Sequence, residues 1–171
     1  MTNAAILVAQ NFQDEEFVYP YYRLLEEGYR VEVATPDGKV TTGKYGVPAR
    51  ATAKIADLNA DDFDLVILPG GFESPDRLRP LTEVKAFVAA MNQQQKLVAA
   101  ICHGPWIAIS AGIMRGRKAT GYMSIEDDLR NAGADYQESD LVIDGNLITA
   151  PHYRNNGEFM RAVVDWVNGR A

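Results

Sequence analysis

Lys96-Leu97-Val98-Ala99-Ala100-Ile101-Cys102-His103-Gly104-Pro105-Trp106 is the stretch whose reading decides the fold. The unbroken apolar run 97–101 fits a strand covered on both faces, and the run opening at Gly104-Pro105-Trp106 reads as a helix. Between them stands Cys102, the one cysteine in the chain. With no partner for an internal disulfide, its placement at a sharp strand-to-helix turn points to thiol chemistry. A nucleophile elbow strains its central residue and needs small neighbours, which Ala100 and Gly104 supply. A helix starting just beyond would aim free amides and a partial positive charge at the sulfur, favouring thiolate. The same spacing also fits a buried structural cysteine.

Working outward, the run 4–9 is continuously apolar and starts a buried sheet. Residues 16–27 place Phe17, Tyr21, Leu24 and Leu25 at helical spacing, with Gly28 as a stop. Residues 30–34 return to strand, giving a β-α-β unit whose crossover implies parallel pairing. A turn at 35–38 opens an excursion over 39–54, either a hairpin or a wandering loop. The next buried strand, 64–68, stops at Pro69-Gly70-Gly71. An amphipathic helix follows over 82–94, with Val84, Phe87, Val88 and Met91 inward and Thr82 as N-cap. The run 105–113 predicts a buried helix ended by Gly112 and Gly116, and 124–132 another, with Ser124 and Asp127 at capping-box spacing. Residues 141–143 and 147–149 flank Asp144-Gly145-Asn146, a hairpin signal, and 157–168 closes the chain as a helix with Phe159, Val163, Trp166 and Val167 inward. Strands alternating with helices predict a doubly wound α/β sandwich, with ligands gathered at the carboxyl ends of the strands.

Composition narrows the function. The 171 residues, 47% hydrophobic, suit one core, so a single domain over 1–171 is expected. A net charge of -6 with no basic stripe argues against nucleic acid. No apolar run approaches the length that spans a bilayer and the first residues lack the basic start of a secretory signal, so the expected compartment is the cytoplasm, where a lone thiol stays reduced. Two histidines without ligand spacing make a metal site improbable, and no cofactor is expected.

The expected carboxyl rim gathers several candidates. The backbone at Gly70 and Gly71 would present amides as an oxyanion hole, or the two glycines simply allow a tight turn. Glu16 opens the first crossover helix on the same rim. If it touches the sulfur it must hold a proton, since a charged carboxylate would oppose thiolate. Otherwise it is a helix-start acid placed by the macrodipole. His103 is adjacent to Cys102, but neighbouring side chains usually diverge, so geometry must decide whether they exchange a proton. His152, after the last strand, reaches the same rim or is a surface histidine.

Ala100-Ile101-Cys102-His103-Gly104-Pro105, Leu68-Pro69-Gly70-Gly71, Glu16-Phe17-Val18-Tyr19-Pro20 and Ile113-Met114-Arg115-Gly116-Arg117-Lys118 together resemble the PfpI branch of the DJ-1/ThiJ/PfpI superfamily, from Ile6 to about Thr149. The resemblance implies a flavodoxin-like sandwich of the class I glutamine amidotransferase type, with a mostly parallel sheet and helices on both faces. It implies Cys102 as nucleophile, Glu16 as the acid hydrogen-bonded to its sulfur, and amides of Gly71 and His103 around an anion pocket. It also implies an acid from a neighbouring subunit orienting His103, with Asp76 in the matching segment, and a homodimer or homohexamer. Tyr122 matches a tyrosine near the pocket. Two departures stand out. The segment 71–76 is about one residue longer than the family spacing, which makes Glu73 a competitor of Asp76. The family's Ser-Arg-x-Pro-x-Asp-Leu pattern is replaced by Ala150-Pro151-His152-Tyr153-Arg154-Asn155-Asn156, so His152 or Tyr153 is expected to fill the place of the missing arginine.

The function so implied is a cysteine-dependent hydrolase or lyase acting on small reactive carbonyls or glycated protein, of the glyoxalase or deglycase type. An intracellular cysteine peptidase, related to peptidase family C56, and a redox sensor or stress chaperone are the alternatives.

Overall fold

The computed structural model describes residues 1–169, so the last two positions of the expected 1–171 domain lie outside the described residues. Strand β1 (Asn3–Leu7) leads into α1 (Asp14–Glu26) and β2 (Arg30–Thr35). The excursion forms a small antiparallel hairpin, β3 (Thr41–Thr42) with β4 (Pro48–Ala49), before β5 (Ala53–Lys54) rejoins the main sheet. Strand β6 (Leu65–Leu68) precedes helices α2 (Glu73–Leu78) and α3 (Thr82–Gln93). Strand β7 (Leu97–Ile101) precedes α4 (Pro105–Ser110). Then come β8 (Lys118–Ala119), α5 (Glu126–Asn131) and β9 (Asp135–Tyr136), the last pairing with β8 in a separate two-stranded ribbon. The hairpin β10 (Val142–Asp144) and β11 (Leu147–Ala150) and the helix α6 (Asn156–Val167) complete the fold.

The main sheet runs β10-β11-β7-β6-β1-β2-β5, parallel throughout except for β10. Its five longer parallel strands, taken in chain order, lie 2-1-3-4-5, the flavodoxin-like winding. Two-residue periodicity sorts each strand between two cores. Ala5, Leu7, Val66, Leu68, Val98 and Ala100 face the layer of α2 to α5, packing on Val84, Phe87 and Ile107. Ala4, Ile6, Leu65, Ile67, Leu97 and Ile101 face α1 and α6, packing on Phe17, Leu24 and Phe159. Both strand faces are apolar because both are covered. No helix among the described residues is long and apolar enough to cross a membrane.

Several boundaries differ from expectation. Helix α1 starts two residues early, at Asp14, and Leu25 points outward at 42% exposure, because Phe17 and Leu24 already occupy the inner stripe. Thr82 is the first helical residue rather than the cap; extended Leu81 takes that place with no side-chain cap bond. Helix α4 stops at Ser110, where Gly112 N–H to Ile109 C=O and Ile113 N–H to Ala108 C=O close the end around a left-handed glycine. The capping box at Ser124 does not form: Met123–Ile125 is a 3-10 turn, and α5 begins only at Glu126.

Candidate active site

Three strand ends converge on one point. Cys102 follows β7 with φ +62, in the left-handed region that costs a side-chain-bearing residue about 1–2 kcal/mol. The surroundings hold it there: its N–H donates to Ala150 C=O at 2.9 Å and its C=O accepts from Tyr122 N–H at 2.9 Å. From the end of β6, Gly70 passes so close that a Cβ would stand 2.6 Å from Glu16 Oε2, 2.7 Å from Cys102 Cβ and 2.8 Å from His103 N. Gly71 next turns left-handed, φ +72, against the backbone of Gln13. Both glycines thus have a packing reason, and Gly71 also serves the sulfur: the N–H groups of Gly71 and His103 donate to Cys102.

Gly70 has a different role from the one expected. Its N–H is engaged, donating to Glu16 Oε2 at 2.7 Å, so it is not an open oxyanion donor. Glu16, carried by the third residue of α1, is fully buried beside the sulfur. Its other oxygen, Oε1, has no nitrogen or oxygen partner. The polar neighbour left to the carboxyl is the Cys102 sulfur. A buried carboxyl with one accepting oxygen and no donor for the other is best satisfied as the neutral acid. Burial accordingly drives Glu16 up to about 8, with the Gly70 N–H and the Cys102 contact pulling the other way.

The thiol itself departs from expectation. Cys102 is 7% exposed, and burial, reinforced by the Glu16 charge, pushes it up to about 12 against the lowering pull of the Gly71 and His103 amides. The short helix α4 does not outweigh desolvation. Both groups are thus held above their ordinary values, and because each charge opposes the other the pair carries at most one negative charge near neutrality.

His103 does meet Cys102, because the left-handed turn swings the adjacent side chains together: Sγ and Nδ1 lie 3.2 Å apart. Its Nε2 lies 3.2 Å from Ser124 Oγ of the same chain. Burial, with the Lys44 charge adding to it, drives His103 down to about 4, so the ring is neutral. Asp76 is exposed on α2 and among the described residues makes no side-chain hydrogen bond or ion pair; within one chain it does not orient His103. Glu73 is turned away too, accepting from Asn11 Nδ2 and Arg77 NH2, each at 2.6 Å.

Above the thiol opens a cavity of about 460 Å³. Tyr122 stacks on His103 with ring centres 4.9 Å apart, and His152 and Tyr153, 4.0 Å apart, line the same space. Five further lining residues, Gln13, Lys44, Tyr45, Phe72 and Ser124, were not marked as site residues by the sequence. Lys44 Nζ sits 5.2 Å over the Phe72 ring and 3.4 Å from Gln13 Oε1. The hairpin loop brings Lys44 and Tyr45 there, held by Asp14, whose carboxyl accepts from Tyr45 N–H at 3.0 Å and Val47 N–H at 2.9 Å. The one available signal was Gly43-Lys44-Tyr45-Gly46, a turn that places a cation between two glycines.

A family model for the DJ-1/PfpI family matches residues 2–166. The chain belongs to that family. The DJ-1/PfpI relatives include "Deglycase PfpI" of Pyrococcus furiosus, 40% identical over 92% of this chain and 95% of that protein. "Putative cysteine protease YraA" of Bacillus subtilis is 40% identical over 85% of this chain and 86% of its own. Among solved structures, a two-domain protein of Anabaena variabilis containing DJ-1/ThiJ/PfpI-like and ferritin-like domains superposes with a TM-score of 0.96 at 36% identity. That match covers 98% of this chain and 48% of the other, so the chain spans about half the length of that protein. The DJ-1/PfpI assignment agrees with the winding order and with the residues gathered above the carboxyl edge.

Proposed function

We propose that this DJ-1/PfpI protein is a cysteine-dependent enzyme acting on small reactive carbonyls or the adducts they form on proteins, in the manner of a glyoxalase or deglycase. The observation that carries this reading is the meeting of Cys102 Sγ with two backbone N–H donors, a neutral Glu16 carboxyl and the His103 ring under one cavity. Addition forms a bond from sulfur to the carbonyl carbon as the π pair moves to oxygen. The thiol proton leaves through His103 Nδ1, and the oxygen, steadied by the Gly71 and His103 amides, takes up a proton to give a hemithioacetal. With an α-dicarbonyl, Glu16 would first give its proton to the second carbonyl oxygen, and the carboxylate so formed would take the hydrogen from the hemithioacetal carbon and return it to the neighbouring carbon while the first hydroxyl loses its proton, turning the hemithioacetal into a thioester that water hydrolyses to the hydroxy acid and the free thiol.

The size of the cavity supports a small substrate over an extended peptide. Within this reading Asp76, exposed at the start of the segment after the cavity loop, is the residue offered to a second copy in a dimer or hexamer, and Tyr122, His152 and Tyr153 form the substrate rim. Methylglyoxal turnover by the wild type and by Cys102→Ser tests the proposal: the variant is expected to lose at least a hundredfold in kcat/KM, an effect of the size that nucleophile and proton-transfer groups supply. Equal rates would remove Cys102 from the chemistry.

A further inference from the structure

We propose that Lys44 is a specificity-determining residue, the seat for a carboxylate carried by the substrate, so that the cavity selects small α-oxo aldehydes with an acidic tail. Among the described residues that line the cavity, Lys44 is the one lysine or arginine and none is an aspartate or glutamate, although the chain carries a net charge of -6. Lys44 itself makes no ion pair among the described residues. The acids that flank the hairpin are engaged elsewhere. Asp14 accepts from the Tyr45 and Val47 amides, Glu15 from Gln13, and Glu73 from Arg77 and Asn11.

The backbone under this cation is pinned. Lys44 N–H donates to Phe12 C=O at 3.0 Å, and a Cβ on Gly43 would stand 2.5 Å from the Asp14 carboxyl carbon, so the loop lies tight against the start of α1. Gln13 aims the side chain: its Nε2 donates to Glu15 Oε2 at 2.6 Å, which leaves Oε1 to accept from Lys44 Nζ at 3.4 Å. An ammonium has three donors, and this one long contact to a neutral amide leaves the charge unneutralised. The Phe72 ring links the cation to the chemistry, with its centre 5.2 Å from Lys44 Nζ and 6.4 Å from the His103 ring centre. A substrate held by a tail at Lys44 therefore has its reactive end within a few bonds of the sulfur, which lies 3.2 Å from His103 Nδ1. One unit charge matches a carboxylate. A phosphate dianion needs a second cation or free amides, and the Gly71 and His103 amides already serve Cys102.

The choice of substrate rests on the proposed role of Cys102 as an enzyme nucleophile, so the test reads more than turnover. In the full chain, wild type, Lys44→Met, Lys44→Arg and Lys39→Met are compared; the last removes an equal charge from the same excursion outside the cavity. One readout is the rate of Cys102 alkylation by iodoacetate divided by that with iodoacetamide. Both reagents form the same carbon–sulfur bond and release iodide, so the ratio cancels any change in the thiol and leaves the response to a carboxylate. The other is kcat/KM for carboxyethylglyoxal divided by that for propylglyoxal, its uncharged analogue of equal chain length. Lys44→Met is expected to lower both ratios about five- to tenfold, the effect of one charge pair a few ångströms apart near a protein surface, while Lys44→Arg and Lys39→Met stay within about twofold of wild type. Either ratio unchanged in Lys44→Met, or an equal fall in Lys39→Met, would overturn the proposal. If the wild type turns over neither glyoxal, the enzyme reading of Cys102 fails, and the alkylation ratio still decides whether Lys44 seats a carboxylate.

Discussion

At position 70 an atom larger than hydrogen would strike Glu16, Cys102 and His103 together, so one glycine fixes how closely three chemically active groups approach. That closeness makes the titration of Cys102 and Glu16 a property of the pair. Each ionisation opposes the other, and the low dielectric amplifies the effect. Replacing Glu16 by Gln removes the charge that reinforces the high thiol pKa and leaves a neutral donor, so the apparent thiol pKa is expected to fall by one unit or more while acid–base function is lost. The pH dependence of iodoacetamide alkylation reads this directly, and an unchanged midpoint would refute the pairing. Cys102 and Glu16 were legible as residues, because a lone cysteine at an elbow and an acid at a helix start both stand out in the local pattern. The burial that pushes the thiol up was not, since desolvation depends on what packs overhead.

At the scale of elements, the small hairpin between β2 and β5 shows how an excursion of weak pattern supplies a working wall. It carries few apolar residues, and its closed end is fixed by Asp14, a buried side chain of α1 that collects the Tyr45 and Val47 amides. Asp14→Ala leaves both amides without their partner, a loss of about 1–3 kcal/mol. The expected result is faster hydrogen exchange at Tyr45 and Val47 and a KM for methylglyoxal raised several-fold with a smaller change in kcat, since Lys44 and Tyr45 line the cavity without touching the sulfur. Exchange rates equal to wild type would show that the loop holds its shape without Asp14. Sequence pattern placed this segment correctly as an excursion. It gave Asp14 no role, because a contact across 31 residues between a helix start and a turn leaves no local signature. Ser124 is the same case reversed: its spacing fitted a capping box, but the chain made a 3-10 turn and gave the hydroxyl to His103.

For the whole molecule, two buried groups shape stability against pH. Unfolded Glu16 ionises above its ordinary 4.5, while the folded acid keeps its proton to about 8, so stability falls as pH rises across that window. Unfolded His103 takes a proton below its ordinary 6.5, while the folded ring stays neutral down to about 4, so stability falls as pH drops there. The two oppose each other between 4.5 and 6.5, and only Glu16 acts from 6.5 to 8. Denaturant unfolding is expected to show an alkaline decline there, approaching about 1.4 kcal/mol per pH unit. Glu16→Gln should flatten that limb and His103→Gln the acid one; a Glu16→Gln profile parallel to wild type would contradict the assignment. By itself the sequence determined the layered α/β sandwich, the parallel sheet and the strand ends where chemistry would gather, because apolar runs, periodicity and turn residues act over short distances along the chain. Only the tertiary structure decided that burial raises both the thiol and Glu16, that Gly70 serves Glu16, and that Ser124 takes the far side of His103. These depend on burial and on contacts between segments far apart in the chain, and local pattern carries no record of either.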